Sequence, residues 1–195
     1  MKRILIGSVI VFALAGIVLA AAAAGQEAAK PAKPVKEEFG GYVILVAAGP
    51  MTGRSTRVTM TVDRWTTDEE KAGLLKALQE GGSDAMLKVM RKMTVGYIRT
   101  TRSLRYALNF ASTFQTEKGR VVRLVTERPI SFVEAMRPTR SEDYEFGVIE
   151  FTLNAEGKGD GYIIPTAKVS INKDGQLEVE TLGTGPQKLL NVKKD

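Results

Sequence analysis

The chain has 195 residues, of which 44% are hydrophobic and 26% charged, and it contains neither His nor Cys. The lack of Cys excludes disulfides, thiolate metal sites and Cys nucleophiles, and the lack of His excludes a Ser-His-Asp triad and His-bearing metal sites. The formal net charge of +6 is small for a dedicated nucleic-acid binder, which carries a basic stripe. We therefore predict no cofactor, no metal site and no nucleic-acid partner.

The N-terminus has the pattern of a secretory signal peptide. Met1–Arg3 is positively charged, Ile4–Ala24 is apolar, and the apolar run ends in small residues of the A-x-A type. We predict a signal peptide over residues 1–25, cleaved near Gly25, and export to the periplasm or outside a bacterial cell. The alternative is an uncleaved membrane anchor, because about twenty apolar residues can span a bilayer. Cleavage leaves no transmembrane span in the mature chain.

Residues 26–38 read QEAAKPAKPVKEE, a stretch rich in Lys, Pro, Glu and Ala. This composition is typical of a disordered tether. We expect one folded domain over residues 39–195, a length that can bury a core without disulfides.

The first half of this domain is predicted to hold two strands and then two helices. Residues 41–48 are apolar on both alternating sets, which predicts a strand buried on both faces or central in a sheet. Residues 55–65 alternate, with Val58, Met60 and Val62 predicted to face the core and Arg57 and Thr59 the solvent. Thr66 and Thr67 each begin a capping-box pattern, and Trp65 is expected to pack on Leu74 or its neighbours as a hydrophobic staple. Gly81-Gly82 is expected to end the first helix, and a second is predicted from Ser83 or Asp84.

From Leu104 onward the period of two returns, with Tyr106, Leu108 and Phe110 on one face. Further strands are predicted over residues 120–126, 144–153, 162–171 and 176–181. Strands and helices that are segregated along the chain are typical of an α+β fold. We predict a predominantly antiparallel sheet of about seven strands packed with a two-helix insertion.

A basic run suggests a site for an anion or a partner. Six Lys and Arg residues lie between Lys88 and Arg105, and no acidic residue occurs between Asp84 and Glu117. Such a run can face an anionic lipid, a polyanionic glycan or a phosphate, or it can be an ordinary solvated surface. The candidate binding residues are Arg99, Arg102 and Arg105.

Four methionines are candidates for the lining of an apolar pocket, because flexible thioether side chains suit a plastic cavity. They are Met60, Met86, Met90 and Met93. An ordinary hydrophobic core explains the same residues equally well.

No pattern singles out a catalytic group. Residues 81–85 (GGSDA) resemble the G-x-S-x-G elbow, but the last Gly is Ala and the chain has no His. Carboxylates are plentiful, yet no spacing marks an acid/base pair. Whether the protein is an enzyme stays open, and the sequence favours a non-enzymatic protein.

Four segments resemble an uncharacterised family of small exported bacterial proteins: VDRWTTDEE (62–70), VGYIRT (95–100), TERPI (126–130) and NKDGQLEVE (172–180). The resemblance implies export and a single domain, and it implies no activity or site.

Three functions are therefore left open. The first is an exported non-enzymatic domain that binds a hydrophobic small molecule. The second is a structural or interaction module of the cell envelope that uses a basic surface. The third is a carboxylate-based, glycan-active enzyme.

Overall fold

A computed structural model gives the fold and describes residues 9–11, 36–45, 53–100, 105–130, 145–172, 177–181 and 185–195. One helix, α1, spans Asp68–Met90. The strands in chain order are β1 (Val9–Val11), β2 (Glu37–Ile44), β3 (Ser55–Val62), β4 (Gly96–Thr100), β5 (Tyr106–Leu108), β6 (Phe110–Thr116), β7 (Gly119–Thr126), β8 (Phe146–Leu153), β9 (Lys158–Ile171), β10 (Leu177–Thr181) and β11 (Gln187–Lys194).

All of these strands belong to one antiparallel sheet that is nearly closed and barrel-like. Its order is β5-β4-β3-β2-β11-β9-β8-β7-β6, and β10 pairs with β9 on one side and with β1 on the other. Only Asn109 separates β5, which pairs with β4, from β6, which pairs with β7. This bent stretch therefore connects the two ends of the sheet.

The inside of the sheet is filled by one cluster of buried side chains, which we call the inner core. Phe39 and Phe151 meet there edge to face, with 5.1 Å between ring centroids. The alternation of each strand supplies the inward residues, because successive side chains of a strand point to opposite faces. Further members are Val43, Val58, Met60, Val62, Ile98, Leu108, Val122, Leu124, Ile149, Ile163, Leu189 and Val192.

A second cluster, the outer core, lies between α1 and the outside of the sheet. Leu74, Leu78 and Met90 form the apolar stripe of the helix. They pack against outward side chains of β8, β9 and β10, which include Phe146, Val148, Ile164, Val169 and Val179. The helix thus covers only this part of the outer surface, among the elements that the structure describes.

The predicted two helices and about seven strands are wrong, because the described residues form one helix and eleven strands. Gly82 takes a left-handed conformation (φ 67°, ψ −162°), but helical residues continue on both sides of it. Ser83, which was expected to begin a second helix, donates its hydroxyl to the Val169 carbonyl at 2.6 Å. Its side chain attaches the kink to β9 instead of capping a new helix.

Among the strands that escaped prediction, β4 and β11 did so for different reasons. In β4, Tyr97 and Arg99 are exposed, and the short alternation was interpreted as part of a basic run. In β11, Asn191 has a positive φ of 53° and the register with β2 shifts between Leu190 and Lys193. A bulge of this kind interrupts the period of two on which strand prediction depends.

The start of α1 uses one of the two predicted capping boxes. Thr67 Oγ1 accepts from the Glu70 amide at 3.2 Å, and the Thr67 amide donates to the Glu70 carboxylate at 2.9 Å. Thr66 is buried and pairs with Ala111 through its hydroxyl and its amide. Trp65 packs on the inner core, whereas Leu74 belongs to the outer core, so the predicted staple is wrong.

We expect Thr67→Ala to lower the free energy of unfolding by about 1 kcal/mol, because an N-cap oxygen is lost. Thr67→Ser keeps that oxygen and is the matched control. Urea unfolding measures both variants, and equal midpoints for Ala and Ser would contradict this role.

Most of the predicted N-terminal segments lie outside the described residues. Residues 1–8 and 12–35 cover most of the predicted signal peptide and tether, whose cleavage and disorder stay predictions. Glu37 and Glu38, placed in the tether by the sequence, are the first residues of β2.

Candidate functional site: a basic sheet face

The structure places two of the three candidate arginines on one surface. Arg99 is an exposed residue of β4, and Arg105 is exposed just before β5. The guanidinium carbon of Arg105 lies 5.6 Å from the centroid of the Tyr97 ring. Arg102 lies outside the described residues. The predicted site therefore keeps Arg99 and Arg105, with Tyr97 between them.

Strand register adds two residues to this surface. Tyr42 on β2 is paired with Arg57 on β3, and Thr59, one step along β3, is paired with Arg99 on β4. We call the outer surface of β2, β3 and β4, together with Arg105, the basic face. Its outward residues are Glu38, Gly40, Tyr42 and Ile44 on β2, Ser55, Arg57, Thr59 and Thr61 on β3, Tyr97 and Arg99 on β4, and Arg105.

Register also sets the spacing of the charges. Arg99 is paired with Thr59, which lies two residues from Arg57 on the adjacent strand. The Cα atoms of Arg57 and Arg99 are therefore separated by about 8 Å. Arg105 comes directly before β5, whose first residue, Tyr106, is paired with Ile98 next to Arg99. The backbone positions of the three arginines thus form a row across β3, β4 and the start of β5, with Tyr42 at one end.

The three arginines of this row are not held in ion pairs within the described part of the chain. Among the described residues, no acidic side chain forms an ion pair with Arg57, Arg99 or Arg105. Two acids lie on the β2 side of the basic face. Glu38 accepts a long hydrogen bond of 3.4 Å from Thr61, and the Asp195 carboxylate and the Arg57 guanidinium both lie beside Gly40. The cationic part of the face is therefore its β3–β4 side.

The tyrosines of the face are unusually open for large side chains. Tyr42 is 44% exposed and Tyr97 is 36% exposed. Arg105 occupies one side of the Tyr97 ring, a cation–π contact that holds this arginine on the face. No ring or cation contact to Tyr42 is found among the described residues.

The four candidate methionines do not come together. Met60 is fully buried in the inner core, whereas Met86, Met90 and Met93 belong to the outer core. The two clusters lie on opposite sides of the sheet. The structure therefore gives these four residues no common pocket, and binding of a hydrophobic small molecule stays a prediction.

A buried ion cluster closes one end of the inner core. Glu37 is 8% exposed and accepts from Arg120 at 2.8 and 3.0 Å and from Lys194 at 3.0 Å. Arg120 also lies 5.2 Å from the centroid of the Trp65 ring. Burial alone raises the pKa of the Glu37 carboxyl, but the hydrogen bonds and charges of Arg120 and Lys194 outweigh burial and lower it. Both oxygens of this carboxylate are thus bound by cations of the same chain.

A second carboxylate cluster lies on the outer side of β7, β8 and β9. Glu150 accepts from Arg123 at 2.7 Å and from the Tyr162 hydroxyl at 3.0 Å. Burial, followed by the charge of Glu150, raises the pKa of the Tyr162 hydroxyl above its usual range. Tyr162 therefore stays protonated as a donor. Both carboxylates have structural partners, and neither cluster is arranged as an acid/base pair.

Sequence reasoning missed Tyr42 and Arg57. Arg57 was assigned to the solvent side of its strand, but nothing in the sequence showed that β3 lies beside β4 and its arginines. Tyr42 was placed in a strand buried on both faces. Only the pairing of β2, β3 and β4 brings these residues next to Arg99.

Comparison with known proteins gives no relatives for this chain: no family model, curated protein or solved structure matches it. The resemblance to a family of small exported proteins stays a prediction. Across the described residues, no helix has the length and apolar character needed to cross a membrane.

Proposed function

We propose that this protein is a non-catalytic binding module that holds an anionic partner at the bacterial cell envelope through its basic face. One observation carries the proposal: Arg57, Arg99 and Arg105 form a row of exposed guanidiniums without an acidic partner among the described residues. The guanidinium presents a planar fork of donors that matches carboxylate, sulfate and phosphate oxygens. Export and the envelope location belong to the proposal, because they rest on the N-terminal sequence pattern alone.

The other arginines of the sheet support this interpretation by contrast. Arg120 forms an ion pair with Glu37, and Arg123 forms one with Glu150. Arg64 forms two hydrogen bonds with Glu70, at 2.8 and 2.9 Å. Arginines that serve the fold are thus neutralised within the chain, whereas those of the basic face are left for an external anion.

The test is the double variant Arg57→Glu/Arg99→Glu, measured against three anions: a heparin fragment, inorganic polyphosphate and vesicles that contain phosphatidylglycerol. We expect binding of at least one anion, weakened more than about tenfold in the variant because two charge-assisted hydrogen-bonding groups are lost. Binding should also weaken as salt rises, since exposed charges are screened. Fluorescence anisotropy and vesicle co-sedimentation give the affinities.

A matched control separates the face from net charge. Lys76→Glu/Lys118→Glu makes the same change in charge at two exposed positions, on α1 and on the β6–β7 turn. We expect it to bind within about twofold of wild type. Glu38→Gln should tighten binding, because it removes an acid from the border of the face. Equal losses in both double variants, or no binding to any anion, would remove the proposal.

A further inference from the structure

The geometry of the basic face points to a particular class of partner: we infer that it binds an anionic polysaccharide chain that lies diagonally across β2, β3 and β4. This inference rests on the proposed function and narrows it. Three observations support it: the exposed rings of Tyr42 and Tyr97, the threonine hydroxyls beside the arginines, and the spacing of the arginines.

The middle of the face carries small and polar residues. Gly40 is paired with Thr59, which is paired with Arg99 on its other side, and Thr61 lies next to Tyr97. Gly40 has no side chain, and a threonine hydroxyl can both donate and accept a hydrogen bond. A hydroxyl-rich chain can therefore lie close to the sheet and exchange hydrogen bonds with it along its length.

Tyr42 supplies an apolar ring at one end of the row. The ring is 44% exposed and lies directly across from Arg57. A sugar ring presents a face of C–H groups that can pack on an aromatic ring, while its carboxylate or sulfate reaches the neighbouring guanidinium. A polysaccharide repeats such rings and charges along its length, and the row presents the Tyr42 ring beside two arginines, Arg57 and Arg99.

Other polyanions fit this surface less well. Peripheral attachment to a bilayer uses apolar side chains that enter the lipid, but the centre of this face is Gly40, Thr59 and Thr61. Inorganic polyphosphate has charge but no ring for Tyr42. Single-stranded nucleic acid is bound along continuous positive grooves, whereas Glu38 and Asp195 border this face.

The experiment compares Tyr42→Ala with Tyr42→Phe on the full chain, using a labelled heparin fragment, a polyuronate fragment and inorganic polyphosphate. For at least one polysaccharide, we expect Tyr42→Ala to weaken binding about fivefold and Tyr42→Phe to leave it unchanged, since the ring is retained. Polyphosphate binding should not respond to either variant. Phe114→Ala, an equally exposed aromatic on β6, is the control. Circular dichroism and thermal unfolding verify that each variant is folded.

Three results would overturn the inference and leave the proposed function standing. They are polysaccharide affinities unchanged in Tyr42→Ala, polyphosphate or single-stranded DNA bound more tightly than either polysaccharide, and binding to anionic vesicles alone. In each case Arg57→Glu/Arg99→Glu would still abolish binding. Loss of the arginine effect would instead remove the proposed function itself.

Discussion

Replacing Asn109 by Ala should lower the free energy of unfolding by about 3 kcal/mol. Asn109 is 2% exposed, and its amide donates to the carbonyls of Met90 and Met93 at 3.2 and 2.7 Å. Its side-chain oxygen accepts from the Glu127 amide at 3.0 Å. The Met90 carbonyl keeps a bond from the Met93 amide, so the variant leaves two backbone groups without partners. Each such group costs about 1–3 kcal/mol when buried.

Urea unfolding measures this change, with Asn154→Ala as the control. Asn154 also accepts two backbone amides through its side chain, those of Glu156 and Lys158, but its turn is exposed. Water replaces those bonds, so we expect a loss below about 1 kcal/mol there. Similar losses at both positions would show that burial of the Asn109 network is not what stabilises the fold.

Replacing Glu37 by Gln should lower the free energy of unfolding by about 2–3 kcal/mol at neutral pH. This loss of stability is smaller than that expected for breaking a fully buried ion pair and larger than that for an exposed pair. The reason is that Glu37 is buried whereas Lys194 is 41% exposed. Arg120 and Lys194 lose a charged acceptor, because glutamine offers one neutral carbonyl oxygen and turns an NH2 group toward these cations. Arg120 keeps its contacts with Thr113 and the Trp65 ring.

The stability difference between wild type and Glu37→Gln should depend on pH, in a direction that follows from the pKa of Glu37. The folded state lowers the pKa of Glu37 below its ordinary value of 4.5. Its contribution to stability is therefore full above that ordinary value and is lost as the pH falls through the lowered folded pKa. The difference between wild type and Glu37→Gln should shrink as the pH is lowered from 7 to about 2. A difference that stays constant over this range would contradict the ion cluster as its source.

The alternation of apolar residues was a reliable guide where strands are regular. The solvent-facing and buried sides of β3 were predicted correctly from the alternation that includes Val58, Met60 and Val62. The guide failed where one residue changes the phase. Phe110 was placed on the same face as Tyr106 and Leu108, but Asn109 lies between β5 and β6, and Phe110 packs on the outer core. Such a shift is produced by contacts with distant residues, here Met90, Met93 and Glu127.

The candidate site was predictable only in part, for a related reason. The run of basic residues pointed to Arg99 and Arg105 because they are close in sequence. Arg57 and Tyr42 join them through strand pairing, and pairing partners cannot be read from the composition of one strand. The methionines illustrate the opposite error: Met60 and Met86 share a residue type, yet the sheet separates them.

The pairing of β2 with β11 has a consequence for when this protein can fold. Phe39 lies opposite Lys194, so one of the earliest core strands is completed by residues about 150 positions later. Contacts of such long separation must wait for loop closure and make folding slow. During synthesis, β2 can pair with β3, and β3 with β4, long before β11 emerges. The other edge of β2 thus stays unpaired until β11 has been made, so this seam of the sheet closes late in folding.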